Sequence, residues 1–219
     1  MINEKEFFDW LNSQTDDDAS DLQLVRDREE LIAFDRKKNI GIIDNQPYYN
    51  IVLALYHNRK TGIDFRYPMV EYPNEKRGAA TLVVLKQGDE RWYLLENHFR
   101  QFIKQFVLEI PRGYGIGGSG VETAIRELNE ETSIKPENLT DIMQLGTLTV
   151  DSGLSNNSVE LLAVEVELSG LKPRCNDENE QIDGYVILSE AQMRSMIISG
   201  KINDSFTLAA FIRYLLCNP

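Results

Sequence analysis

The chain has 219 residues, 42% of them hydrophobic, with a formal net charge of −12. That length leaves room for one sizeable core and an extension, and neither a membrane-spanning apolar run nor a signal-peptide pattern over Met1–Asn12 is present, so the cytoplasm is the expected compartment. The acidic excess works against broad binding to a nucleic-acid backbone, while a small phosphorylated ligand met by local cations stays compatible.

The first elements are helical. Phe7, Trp10 and Leu11 are spaced for a helix over Glu4–Asn12, and the acidic run Thr15–Asp21 then reads as a solvated linker. A second helix is expected with Asp21 as its N-cap and Leu22, Val25, Leu31 and Phe34 as its apolar positions, ending at Lys37-Lys38-Asn39. From Ile51 the period changes: Ile51–Tyr56 is β-like, Asn58–Gly62 is a turn, and Ile63–Val70 returns as a second strand. Residues 1–75 thus form an N-terminal region of helices and a β-hairpin, ahead of a domain over 76–219.

Ala79–Leu85 and Trp92–Glu96 should pair as a hairpin across Lys86-Gln87-Gly88-Asp89. The second strand, ending at Glu96, runs into a stretch that closes on Arg100, whose guanidinium fork suits two phosphate oxygens or, equally, a surface ion pair; His98 reads as a strand-end side chain. Next comes the most distinctive stretch, Glu109 to Ile134. Gly113, Gly115, Gly117, Gly118 and Gly120 let the backbone approach a ligand and lead into a helix N-terminus, where anions are favoured. Val121, Ala124, Ile125 and Leu128 recur at helical spacing as a buried stripe, and Glu127, Glu130 and Glu131 fall on a neighbouring face. Stacked carboxylates repel, and an all-oxygen set suits Mg²⁺ or Mn²⁺. Taken separately, the glycines fit a flexible loop and the acids a solvated face; together they are more specific.

Two further strands, Asp141–Val150 and Val159–Leu168, flank a polar loop at Asp151–Asn157. Lys172–Asp183 is an acidic loop holding Glu178 and Glu180, and it leads into a strand ending at Leu188. Ser189 should cap a helix through Ile198 that Gly200 stops, and Asp204–Leu216 closes the chain as a helix burying Leu208, Phe211, Ile212 and Leu215. Cys175 and Cys217 are too far apart in sequence for a metal cluster and read as reduced thiols.

Arg126, Glu127, Leu128, Glu130, Glu131 and Ile134 match the second half of the Nudix box, and Leu108–Gly113 resembles the strand that enters it. Three features depart from the pattern: Gly118 replaces the family's first glutamate, the loop is one residue shorter, and Ser133 replaces the box glycine. The resemblance implies a Nudix-type α/β/α sandwich with a mixed sheet, the box helix on one side and the terminal helices on the other. It implies a divalent ion, Mg²⁺ or Mn²⁺, held by Glu127, Glu130, Glu131 and the backbone carbonyl of Arg112, with Arg126 orienting the glutamates. Leu95–Arg100 looks like the glutamine-tyrosine-arginine stretch of ADP-ribose pyrophosphatases. By the same resemblance, Arg100, Glu109 and Gly113 would meet substrate, the loop Asp151–Asn157 would cover it, and Glu180 would orient or deprotonate water.

The implied activity is hydrolysis of a nucleoside diphosphate linked to another group, with ADP-ribose or another ADP-sugar leading. The N-terminal hairpin resembles the domain those enzymes exchange across a homodimer. The alternative is a nucleotide-binding regulator that lost turnover, for which Gly118 is the pertinent feature. Tyr48, Tyr49, Tyr67, Tyr72 and Tyr114 are the aromatics that could stack on a base or could simply be core or surface.

Overall fold

The computed structural model describes residues 4–15, 20–38, 40–45, 49–72, 78–115, 117–177 and 180–218, and the chain forms two compact units, Met1–Pro73 with Asp151–Asn157, and Asn74–Val150 with Ser158–Pro219. No described helix is long and apolar enough to cross a membrane.

The first unit contains α1 (Glu4–Ser13), β1 (Leu22–Leu24), α2 (Arg28–Lys38), β2 (Gly41–Asn45), β3 (Asn50–Asn58) and β4 (Ile63–Glu71). β4 takes one edge of β3 as an antiparallel hairpin, while β2 pairs with Asn50–Leu53 and β1 with Tyr56–Asn58. Phe7, Leu11, Leu24, Leu31, Val52 and Leu55 bury together, each contributing about 1.5–3 kcal/mol relative to exposure. One expectation fails here. Asp21 caps no helix, because Leu22–Leu24 is drawn out as a strand against β3, and α2 begins behind Asp27, whose Oδ1 accepts the Glu30 N–H at 2.8 Å. Three residues cannot establish a period, and the ladder on offer from β3 decides their conformation. Within this unit the loop Asp151–Asn157 bonds β4: the Val70 N–H donates to the Leu154 carbonyl and the Tyr67 hydroxyl to the Gly153 carbonyl, both at 2.9 Å.

In the second unit, β5 (Ala79–Gln87), β6 (Glu90–Arg100), β7 (Gln105–Glu109), β8 (Arg112–Gly113), β9 (Leu139–Thr149), β10 (Ser158–Glu167) and β11 (Ile182–Ser189) make one sheet of order β11-β6-β5-β10-β9, with β7 on β6 and β8 on β5. β5 and β10 run parallel and the remaining pairs antiparallel, so the sheet is mixed.

Alternation along the central strands makes two cores. Ala80, Leu82 and Val84 of β5, with Tyr93 and Leu95 of β6, pack with Met193 of α4 (Glu190–Ile198) and with Phe206, Ala210, Phe211 and Tyr214 of α5 (Ser205–Cys217). Val83, Leu85, Leu94 and Val164 face the other way, onto Leu128 of α3 (Gly120–Thr132). This is the expected sandwich, the box helix on one face and the terminal helices on the other. The buried face of α5 differs from expectation, however. Phe206, Ala210, Phe211 and Tyr214 are inside while Ile212 is 52% exposed, because the aromatic rings of Phe211 and Tyr214 both close edge-on around Tyr93 and set the helix rotation.

Candidate active site

β6 delivers the first set of side chains. Leu94 lies on the α3 face, so Glu96, His98 and Arg100, each two residues further, follow it there. Pairing of β7 with β6 sets Glu109 opposite Glu96. Glu96 and Glu109 are fully buried and His98 is 4% exposed. The imidazole Nδ1 lies 3.2 Å from Glu96 Oε1 and 3.5 Å from Glu109 Oε1, and its Nε2 lies 2.9 Å from Glu180 Oε2. Glu109 also binds the guanidinium of Arg100 and, at 3.2 Å, that of Arg112. Arg112 stacks over the Phe206 ring at 4.4 Å.

α3 supplies the facing acids, and its start and end are both capped. Ser119 Oγ accepts the Glu122 N–H at 3.2 Å while Glu122 Oε2 accepts the Ser119 N–H at 2.7 Å, a capping box. At the far end Ser133 is left-handed, φ 60°, and its hydroxyl donates to the Arg174 carbonyl at 2.7 Å. Between these ends, Arg126 donates to Glu127 at 2.6 Å, Glu130 at 2.7 Å and the Tyr114 carbonyl at 2.7 Å, tying helix to loop. Glu131 points inward and accepts the Arg112 N–H at 2.8 Å. Gly113 leaves space for Glu127, since a Cβ there would lie 1.9 Å from the Glu127 carboxyl carbon.

Charge is crowded at this face of the sheet. Burial, with Glu96 and Glu127 nearby, pushes the Glu131 carboxyl up to about 10; burial also raises Glu96, and raises Glu127 against the opposing pull of Arg126. Burial disfavours a charged His98, but its hydrogen bonds to Glu180 and Glu96 outweigh that and push it up to about 9, and the same bond holds Glu180 below the usual carboxylate range. Glu96 Oε2 is buried with no hydrogen-bond partner among the described residues. An inward-facing set of acids whose charged forms are disfavoured by burial, with one oxygen orphaned, fits a divalent cation.

These features have counterparts among known proteins. No family model matches the sequence. An ADP-ribose pyrophosphatase of Bacillus subtilis is 31% identical over 162 residues, which is 70% of this chain and 84% of the relative. The chain belongs to the Nudix hydrolases, in their ADP-ribose pyrophosphatase-like branch. A Saccharomyces cerevisiae ADP-ribose pyrophosphatase is 32% identical over 93 residues, 42% of this chain and 39% of that one. The solved structure of an ADP compounds hydrolase superposes with a TM-score of 0.60 at 17% identity, covering 81% of this chain and 90% of the other, and shares the Nudix fold.

Against the Nudix pattern, Arg100, Glu109, Arg112, Gly113, Arg126, Glu127, Glu131 and Glu180 all line this one region through the contacts above. Glu130 stands at its edge, with a side chain 40% exposed and bonded to Arg126. Glu178 and Tyr48 lie outside the described residues. Tyr49 packs against Tyr72 at 5.8 Å, Tyr67 is bonded to the Asp151–Asn157 loop, and Tyr114 is 46% exposed.

Gly118 now has a physical reason. Its φ is +92°, which side chains rarely adopt, and a Cβ there would meet the capping Glu122 carboxylate at 2.5 Å. Glu96 and His98 were not singled out from sequence as site residues. Their i, i+2 spacing with Arg100 is the signal that places all three on one strand face. Cys175 and Cys217 are both free.

Proposed function

We propose that this protein hydrolyses the pyrophosphate bond of a nucleoside diphosphate linked to a second group, with ADP-ribose or another ADP-sugar as the leading substrate. The observation that carries the reading is the confrontation of half-buried Glu127 and buried Glu131 with buried Glu96, beside the guanidinium groups of Arg100 and Arg112. The names of the relatives, ADP-ribose pyrophosphatase and ADP compounds hydrolase, support the substrate class.

Glu127, Glu131 and the Arg112 carbonyl would hold Mg²⁺ or Mn²⁺, which supplies charge neutralisation at the phosphates and a more acidic water. Arg126 holds Glu127 and Glu130 in place through its two guanidinium nitrogens. Arg100 and Arg112 offer phosphate oxygens a bidentate donor, with Glu109 behind them fixing their orientation. Glu180, kept ionised by His98, accepts the proton of the attacking water. The water oxygen bonds to one phosphorus and the bridging P–O bond breaks, leaving a nucleoside monophosphate and a phosphorylated second product.

The test is direct. Purified protein with Mg²⁺ or Mn²⁺ is offered ADP-ribose, NADH, dinucleoside polyphosphates and nucleotide sugars, with Glu131→Gln alongside. Cation-dependent release of a monophosphate, lost in the variant, is expected; tight binding of ADP-ribose without turnover would make the protein a nucleotide-binding regulator instead. We read the assembly as a homodimer, which sedimentation velocity tests.

A further inference from the structure

We propose that Glu96, His98 and Glu131 form a cation site with a nitrogen donor, one that takes Mn²⁺ or another first-row transition ion in preference to Mg²⁺. Among the described residues, these three are the set whose ligand atoms all lie within 4.8 Å of one another, and all three are buried. The inference rests on the reading that this pocket takes a divalent cation, and it names the class of ion and two ligands beyond the helix.

A second observation points the same way. Glu96 is fully buried, its Oε1 faces His98, and its Oε2 has no hydrogen-bond partner. Leaving that buried carboxylate oxygen unsatisfied costs about 1–3 kcal/mol or more, a cost that a bound cation would remove. His98 is oriented for ligation as well. Its Nε2 lies 2.9 Å from Glu180, so a proton on that nitrogen is held by the carboxylate, and Nδ1 is the nitrogen beside Glu96. A carboxylate behind one imidazole nitrogen and the ion at the other is how histidine ligands are commonly fixed. The ion takes the place of a proton on Nδ1, which is released on binding. An imidazole donor favours first-row transition ions, Fe²⁺ and Zn²⁺ more strongly than Mn²⁺, over Mg²⁺, which prefers oxygen donors and its own waters.

The chain contains two histidines, His57 and His98, which makes the test clean. Metal-free full-length protein carrying His57→Gln is loaded with substoichiometric Mn²⁺ and examined by pulsed EPR. Nitrogen modulation from an imidazole is expected, and it should vanish when His98→Gln is added. Should that variant fail to fold, protein labelled with ¹⁵N-histidine answers without it, because the ¹⁴N pattern must be replaced by the ¹⁵N one. Competition titrations are expected to favour Mn²⁺ over Mg²⁺, with His98→Gln lowering Mn²⁺ affinity roughly tenfold or more.

Mn²⁺ bound by oxygen alone, or equal affinity for the two ions, would overturn the inference. Hydrolysis of ADP-ribose in the presence of such oxygen-only binding would leave the proposed function standing. Nitrogen coupling in a protein that hydrolyses none of the substrates would do the reverse.

Discussion

The carboxylate of Glu127 stands over the bare Cα of Gly113, close enough that a Cβ would lie 1.9 Å from its carboxyl carbon and Oε1. One backbone position in the loop therefore sets where a helix acid sits. Gly113→Ala is expected to displace that carboxylate by an ångström or so and to lower kcat roughly a hundredfold, the usual scale for such misplacement. Steady-state kinetics beside circular dichroism would check it; an Ala variant with unchanged kcat would show that the Glu127 position does not matter.

Glu131 is 2% exposed among Glu96, Glu127 and Glu180, and its hydrogen-bond donor is a backbone N–H. Glu131→Gln keeps the shape and an acceptor for that N–H while removing the repulsion. Without added cation, the variant should melt no lower than the parent, and up to about 1 kcal/mol or roughly 2–4 °C higher for a chain of this size. Hydrolysis should fall steeply at the same time. A melting point several degrees lower would mean that Glu131 is satisfied as an anion by the protein alone.

Ser133 occupies the left-handed position where the Nudix box has glycine. The strain of about 1 kcal/mol is offset by its hydroxyl, which bonds the Arg174 carbonyl at 2.7 Å and Asn176 Oδ1 at 3.0 Å. Ser133→Gly should therefore change stability by less than about 1 kcal/mol, since it relieves the one and loses the other. Ser133→Val loses the bonds and adds a β-branched side chain at φ 60°, and should cost more than about 2 kcal/mol. Urea melts of the two variants give the comparison, and equal stabilities would refute the account.

Tyr93 and Tyr214 carry an alkaline liability. Burial, reinforced by Glu190, raises the Tyr93 phenol to about 12, and burial raises Tyr214 to about 12 as well, from an ordinary value of 10.0. The folded state thus favours the neutral phenols, so their contribution is intact below pH 10 and is lost as pH climbs toward 12. Each phenol adds up to about 1.4 kcal/mol per pH unit across that window. The Tyr93 hydroxyl has no hydrogen-bond partner among the described residues, so Tyr93→Phe should cost little at pH 8 and should lessen the fall in melting temperature between pH 9 and 11. Identical pH profiles for parent and variant would refute this.

By itself the sequence determined the elements whose signals are local. The acid helix shows its stripe at Ala124 and Leu128, its carboxylates at Glu127 and Glu131 and its glycine-rich approach within a single stretch of chain. The β5–β6 hairpin, the helix capped by Ser189 and the closing helix near Asp204 are equally readable, because caps, turns and helical spacing act over three or four residues.

Other features needed partners distant in sequence. Leu22–Leu24 is a strand because β3 offers a ladder, and the rotation of α5 follows from rings that close around Tyr93. β6 extends through Arg100 because β7 and β11 pair with its end, and that extension turns Glu96 and His98 from strand-end polar residues into buried neighbours of Glu131. A residue's local pattern sets what it can form; which charges meet out of water is decided by chain segments that only folding brings together.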